Sequence, residues 1–244
     1  MTSTPLLTVV IPVHNMANRL HHLRETLQSA AQSKNTVQFV VVHDGFDSET
    51  QQQLEALREN YRFELTQGSF DSPGLARNEG IGLAKGEWIC FWDSDDIGDT
   101  LAVLNAIRNC SANKNVVVNS FEVSNKSVIE SHPIGTKDLD SIMLNPGLWR
   151  MVFRRNRLSK EVLFPKSRMG EDQVFLARLN MKEDEIFYSN QNIYTYFVGE
   201  GNQLTSDRDA ILEVSESLSD INAFLCSHER AERYVYVLWA RMIL

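Results

Sequence analysis

The chain has 244 residues, 43% hydrophobic and 23% charged, enough to bury a core without disulfide or metal staples. Its formal net charge of −8 argues against a nonspecific nucleic-acid binder, which needs a basic face. Three widely spaced cysteines, Cys90, Cys110 and Cys226, make neither a disulfide framework nor a zinc pattern and read as reduced thiols, mostly buried.

The N-terminal stretch has no basic leader region and reads as a strand, so no signal peptide is expected. Leu6 to Val13 and Val37 to Val42 are short, β-branched apolar runs, as in strands buried on both faces. Leu20, Leu23, Leu27, Ala30 and Ala31 recur between them at helical spacing. Ser48 with Gln51 three residues on reads as a capping box for a helix carrying Leu54 and Leu57. A short strand is expected at Phe63–Thr66, and Ser72-Pro73 opens a helix to about Ala84. Glu87–Trp92 is a fourth strand, and Asp99-Thr100 offers a cap ahead of Leu101. Asn115–Val123 is a fifth strand. Strand–helix alternation over the first 120 residues predicts a parallel sheet with helices on both faces. Ligands of such sheets bind beyond the carboxyl ends of the strands. The loops to watch are therefore Pro12–Asn15, His43–Asp47 and Asp93–Asp96.

The second half is less regular. Trp149–Phe153 and Ile193–Val198 read as strands, and Glu171–Met181, Asp207–Leu225 and Arg230–Leu244 as helices. No segment approaches the roughly 18 apolar residues of a spanning helix. The apolar end YVYVLWARMIL packs either on the core or on a partner, or marks a chain cut from something longer. His21-His22 and the arginines at 150, 154, 155 and 157 look exposed. The arginines could serve an anionic acceptor or membrane surface, or be a solvated basic face.

Several loops carry chemistry. Asp93-Ser94-Asp95-Asp96 places three carboxylates after a buried strand, and they repel one another unless something positive sits among them. Mg²⁺ or Mn²⁺ favours such oxygens and commonly also holds phosphate; one acid alone could serve a helix start. Asp44 either caps a turn or accepts from a base or ribose. Arg77 either meets a diphosphate or is a solvated helix arginine. Gly170-Glu171-Asp172 either complements a helix dipole or presents a general base. No Walker-type or dinucleotide glycine loop is present, and Pro12–Asn15 contains no glycine, which sets aside a sugar nucleotidyltransferase.

Taken together, VVIPVHN (9–15), VVVHDGFDSET (40–50), GLARNEGIGLAKGEWICFWDSDD (74–96), LWRMVFRRN (148–156) and MGEDQVFLARL (169–179) resemble the family 2 glycosyltransferases over about residues 6–205. The resemblance implies an α/β fold of GT-A (Rossmann-like) type, a mostly parallel sheet flanked by helices. It implies domain 1–205, with a nucleotide-binding half to about 120 and an acceptor-side half beyond, and a helical C-terminal extension over 206–244. It implies an inverting, nonprocessive transfer from a nucleotide-diphosphate sugar, UDP-linked foremost, with Mn²⁺ or Mg²⁺. The acceptor is a carbohydrate, lipid-linked or protein-linked hydroxyl of polysaccharide or cell-envelope synthesis. Pro12, Val13, His14, Asn15, Asp44, Arg77, Asp93, Ser94 and Asp95 are implied to line the donor site, with Asp95 the metal ligand. Asp172 is the implied catalytic base, with Glu171 next in line. His14, His43 and Phe46 stand where the family usually has tyrosine, an acid or asparagine, and serine. A cytoplasmic place, at most peripheral to the inner membrane face, is expected, and a membrane or homo-oligomer contact through the C-terminal helix stays open. The alternative is a noncatalytic nucleotide-sugar-binding or scaffolding module of the same fold.

Overall fold

A computed structural model of the protein describes residues 4–16, 20–33, 35–125, 128–199 and 212–243. The opening alternation folds as expected: β1 Leu7–Val13, α1 Leu20–Ser29, β2 Val37–Asp44, α2 Ser48–Arg58, β3 Glu64–Gly68, α3 Pro73–Leu83 and β4 Trp88–Phe91. The continuation is β5 Ile97–Gly98, α4 Thr100–Asn109, β6 Val116–Asn125, β7 Val128–His132, α5 Leu139–Met143, β8 Met151–Arg154, α6 Glu171–Leu179 and β9 Ile186–Phe197, closed by α7 Val214–Ser227 and α8 Arg233–Ile243. The expected helix Asp207–Leu225 lies outside the described residues over 207–211, as does Leu244 at the end of the last one.

The caps explain where the helices start. Ser72 accepts from the Leu75 amide with Pro73 at the first helical position, and Asp99 accepts from the amides of Leu101 and Ala102. At α2 the structure moves the cap one residue. Asp47, not Ser48, accepts from Thr50 N, and His43 Nε2 lies 3.1 Å from its other oxygen. Asp and Ser are comparable caps, and a contact from the preceding strand accompanies the one used.

The strands form one sheet in the order β3-β2-β1-β4-β8-β6-β9-β5, with β7 paired to β6. From β3 to β4 every pairing is parallel, while β8 enters antiparallel between β4 and β6. The parallel half is the expected one, and the far half is mixed: β6 runs parallel to β9 and antiparallel to β7 and β8. Two apolar layers cover the sheet. Val9, Ile11, Phe39 and Val41 face Leu23 and Leu27 of α1, Leu54 of α2 and Val103 of α4. Val10, Val40, Val42, Ile89 and Phe91 face Ala76 of α3, Phe175 of α6, and Ile221, Tyr234 and Leu238 of the last two helices. The apolar C-terminal run therefore packs on the core, with Tyr236 and Ile243 left on the surface. On the α3 side the packing is tight: a Cβ on Gly80 would lie 2.3 Å from Val10 Cγ1.

Several surface expectations are corrected. Arg150 is buried and donates to the carbonyls of Ile142 and Asn145. Arg154 pairs with Glu87 over the Trp88 ring, Arg155 bonds the Gly86 carbonyl, and Arg157 pairs with Glu185. Arg150 is therefore an interior residue, while Arg155 is exposed as expected and Arg154 and Arg157 are half-buried, each fastened to a neighbouring group. His22 is buried against Phe197, their rings 4.2 Å apart. Of the cysteines only Cys90 is buried; Cys226 is exposed. Among the described residues, no helix is long and apolar enough to cross a membrane.

Candidate active site

The parallel strands end at Val13, Asp44, Gly68 and Phe91, the last level with Val10, so the loops after them lie on the same side of the sheet. In the first loop Val13 is buried, Pro12 is half-buried, and His14 and Asn15 are exposed. Asn15 takes a left-handed backbone (φ 54°), turning the chain away from the strand. His14 Nδ1 donates to the Asp44 carbonyl at 2.8 Å, tying this loop to the next. Asp44 is buried, and its Oδ1 accepts from the amides of Phe70 (2.7 Å) and Asp71 (3.2 Å). It thus holds the loop after β3 in place, the turn-holding role that its position left open. His43, by strand alternation, points the other way: it is buried between Asp47 and Gln51. Its difference from the family pattern therefore alters the β2–α2 joint, not the ligand edge. Phe46 is 72% exposed beside that edge.

The acidic run divides by role. Asp93, Ser94 and Asp95 are half-exposed at the ligand edge, whereas Asp96 is 2% exposed. Asp96 accepts from the Tyr194 hydroxyl and the Phe197 amide, both at 2.7 Å, and so anchors the end of β9. Burial, with the Asp93 charge beside it, pushes its carboxyl up to about 8 against the two hydrogen bonds. The third acid of the run is structural.

Arg77 is the positive group that the run requires. It is buried on α3, with Nη2 donating to Asp93 Oδ1 (2.8 Å) and Nη1 to Glu171 Oε1 (2.7 Å), over the face of Phe164. Burial pulls its pKa down, but Asp93 and Glu171 outweigh that and raise it. Among the described residues its Nε is a buried donor with no protein partner. Arg77 is thus neither solvated nor open to a ligand on both arms; it bridges β4's acidic loop to the head of α6.

At that head, Gly170 sits at φ 80° and closes the turn that starts α6. A Cβ there would lie 2.9 Å from Ser217 Cβ of α7, so only glycine fits both the dihedral and the space. Ser217 donates to the Met169 carbonyl, and Glu213 accepts from the Arg168 amide and guanidinium. The C-terminal helices thereby clamp the turn presenting Glu171 and Asp172. Glu171 is buried, and burial plus the Asp172 charge lift it to about 7, with Arg77 pulling back. Asp172 keeps part of its surface exposed, and its Oδ1 accepts from the Gln173 amide. Its pKa too is raised by burial, with Asp93 adding to the rise and Arg77 and Arg241 opposing it. The structure brings the expected Asp93 and Asp172 to the same neighbourhood, on either side of Arg77. Sequence reasoning missed the Arg77–Glu171 bond, for which adjacency to Asp172 was the only clue, and Tyr194, whose partner lies a hundred residues away.

Among the described residues, no group of three or more His, Cys, Asp or Glu converges as a metal cage. Two half-exposed carboxylates still fit a hard divalent cation that draws its remaining ligands from substrate oxygens, as Mg²⁺-type sites do.

The model of glycosyl transferase family 2 matches residues 8–167, and the chain belongs to that family. It is 26% identical over 211 residues to the poly(ribitol-phosphate) beta-glucosyltransferase of Bacillus spizizenii, covering 79% of this chain and 32% of that one. The chain thus spans about a third of that relative's length. The fold is similar to that of S. aureus TarS 1-349 in complex with UDP-GlcNAc, with a TM-score of 0.72 at 19% identity over 97% of this chain and 71% of that one. It is also similar to the mannosyltransferase PcManGT from Pyrobaculum calidifontis in complex with GDP-Man and Mn²⁺, with a TM-score of 0.69 at 13% identity over 98% and 70% of the two chains. These neighbours fix the GT-A character of the mixed sheet and its flanking helices.

Proposed function

We propose that the protein transfers a sugar, with inversion, from a nucleoside diphosphate sugar of the UDP class to an acceptor hydroxyl. The observation that carries this reading is Asp172. It is a half-buried carboxylate of raised pKa on a turn clamped from behind, while its neighbour Glu171 is occupied by Arg77. A carboxylate lifted toward working pH is a better proton acceptor, and a positioned base contributes about 10² to 10⁴ in rate. One oxygen is oriented by Gln173 N, which leaves the other to take the acceptor proton. Asp44 holds the 70–71 loop against the nucleotide edge, and Pro12–Asn15 form the opposite wall. Asp95, with Asp93 beside it, would hold Mn²⁺ or Mg²⁺, which when bound neutralises charge on the leaving diphosphate. Arg77 fixes the orientation of Asp93 and keeps Glu171 out of the proton transfer. The family membership and the UDP-sugar and Mn²⁺ complexes of the fold neighbours support the donor class and cation. The B. spizizenii relative supports an acceptor in cell-envelope polymer synthesis.

The test is calorimetric titration with UDP, GDP, dTDP and CMP, first with Mn²⁺ and then with EDTA. UDP should bind and lose affinity in EDTA, and Asp95→Ala should abolish the metal dependence. Asp172→Asn should retain UDP affinity while turnover of the UDP-sugar falls by about 10² to 10⁴. Full activity in Asp172→Asn would remove it as the base.

A further inference from the structure

The mechanism above leaves an aromatic wall beside the acidic run unused. Trp149 lies in a short 3-10 turn, Leu148–Arg150, that leads into β8. Because β8 runs antiparallel to β4, this turn lies at the same sheet edge as Asp93. The Trp92 indole donates to the Trp149 carbonyl at 3.0 Å, fixing the turn to the end of β4. The Trp149 ring is nearly parallel to two tyrosines at alternate positions of β9. It lies 4.9 Å and 11° from Tyr194, and 5.9 Å and 9° from Tyr196. Phe121 braces it edge-on at 4.6 Å, and Gly147 leaves room for its six-membered ring. Tyr194 is buried with its hydroxyl on Asp96, while Trp149 and Tyr196 each keep part of their surface in solvent. Burial, with the charges of Asp96, Asp93 and Asp95 nearby, raises the pKa of Tyr196.

A core would enclose these rings completely. Here two parallel, stacked rings are braced and still part-exposed at the rim of the proposed donor site. An aromatic face attracts the C–H edge of a flat apolar surface. A pyranose offers such a face through its axial hydrogens, with hydroxyls around the perimeter for the neighbouring carboxylates. The local charge disfavours an acceptor anion that brings no cation of its own: Asp93, Asp95 and Asp172 gather at this edge, Arg77 is already held by Asp93 and Glu171, and Arg150, which adjoins the wall over Phe121, is buried and bonded to carbonyls. We propose that Trp149 and Tyr196 form the acceptor subsite and take a neutral pyranoside ring against the part-exposed surface of this aromatic stack, in preference to an acyclic polyol phosphate. The assignment of this subsite as the acceptor's rests on the transfer reaction proposed above.

The test is saturation-transfer NMR on the full chain with methyl β-D-glucopyranoside and with ribitol 5-phosphate, each with and without UDP and Mn²⁺. The glycoside should receive saturation on its axial H1, H3 and H5. Trp149→Leu and Tyr196→Leu should each weaken glycoside binding about threefold to tenfold, the worth of one aromatic contact, and leave UDP affinity unchanged. Tyr196→Phe, which keeps the ring, should bind the glycoside as the wild type does, and it serves if a leucine variant fails to fold. Tighter binding of ribitol 5-phosphate than of the glycoside, or glycoside binding indifferent to both leucine variants, overturns the proposal. The glycoside arm is read without nucleotide, so failure of UDP to bind counts against the donor reading alone.

Discussion

Replacing Arg77 by methionine keeps an unbranched apolar stem but removes the guanidinium that lies over Phe164 and between Asp93 and Glu171. Asp93 is half-exposed and can be solvated, whereas Glu171 is buried and cannot. Breaking a buried pair from one side costs about 3–5 kcal/mol, because the remaining charge is uncompensated. For a chain of this size that corresponds to a fall in Tm of about 6–20 °C. The loss must also depend on pH. Glu171 is already raised from 4.5 to about 7 with Arg77 in place, and removing Arg77 removes its main opposing influence. An acid whose folded pKa lies above its unfolded value folds best protonated, so the cost of ionised Glu171 grows as pH rises from 4.5 through the folded pKa. Urea unfolding at pH 5.5 and 8.5 should therefore show the larger deficit at pH 8.5. Adding Glu171→Gln to Arg77→Met should recover about 2 kcal/mol or more at pH 8.5, because no buried charge is then left without a partner. If the double variant is no more stable than the single one, the argument for a charge-locked α6 head is wrong.

The same reasoning gives two further expectations. Gly170→Ala forces a Cβ into a left-handed turn and against Ser217 Cβ; it should cost about 1–3 kcal/mol in chemical denaturation and lower turnover with it, and an unchanged midpoint would contradict the clamp. Asp96 is raised from 3.8 to about 8, so its contribution to stability falls as pH climbs between those values; Asp96→Asn should lose less stability than wild type between pH 5 and pH 8, by on the order of 2 kcal/mol, and parallel melting curves for the two would refute it.

What the sequence revealed is what local physics decides. Continuous β-branched runs, the Ser72-Pro73 start and the Asp99 cap sit where the chain alone favours them, and the parallel half follows from their alternation. What escaped was decided by partners distant along the chain. Asp47 takes the cap in place of Ser48, which local preference alone does not decide, and His43 reaches its other oxygen from β2. Asp96 reads like its two neighbours until Tyr194 and Phe197 arrive from β9 and turn it inward. The start of β9, absent from the expected strands, pairs with β6 through register shifts near Ser120 that leave no periodic trace. Arg150 looked solvent-facing because its acceptors are backbone carbonyls, which sequence never advertises.

The position of β8 also has a consequence for the order of assembly. During synthesis from the N-terminus, β1 to β4 can pair as they emerge, but the outer edge of β4 pairs with Val152–Arg154, and β6 closes on the same strand. Until residue 154 has left the ribosome, two apolar strands expose unpaired amides and carbonyls. Closure then spans more than sixty intervening residues, a slow, nonlocal event. The interval before it is when this chain is most exposed to edge-to-edge association with another copy. Placing β8 late in the sequence and in the middle of the sheet makes its arrival the step that commits both halves to one molecule.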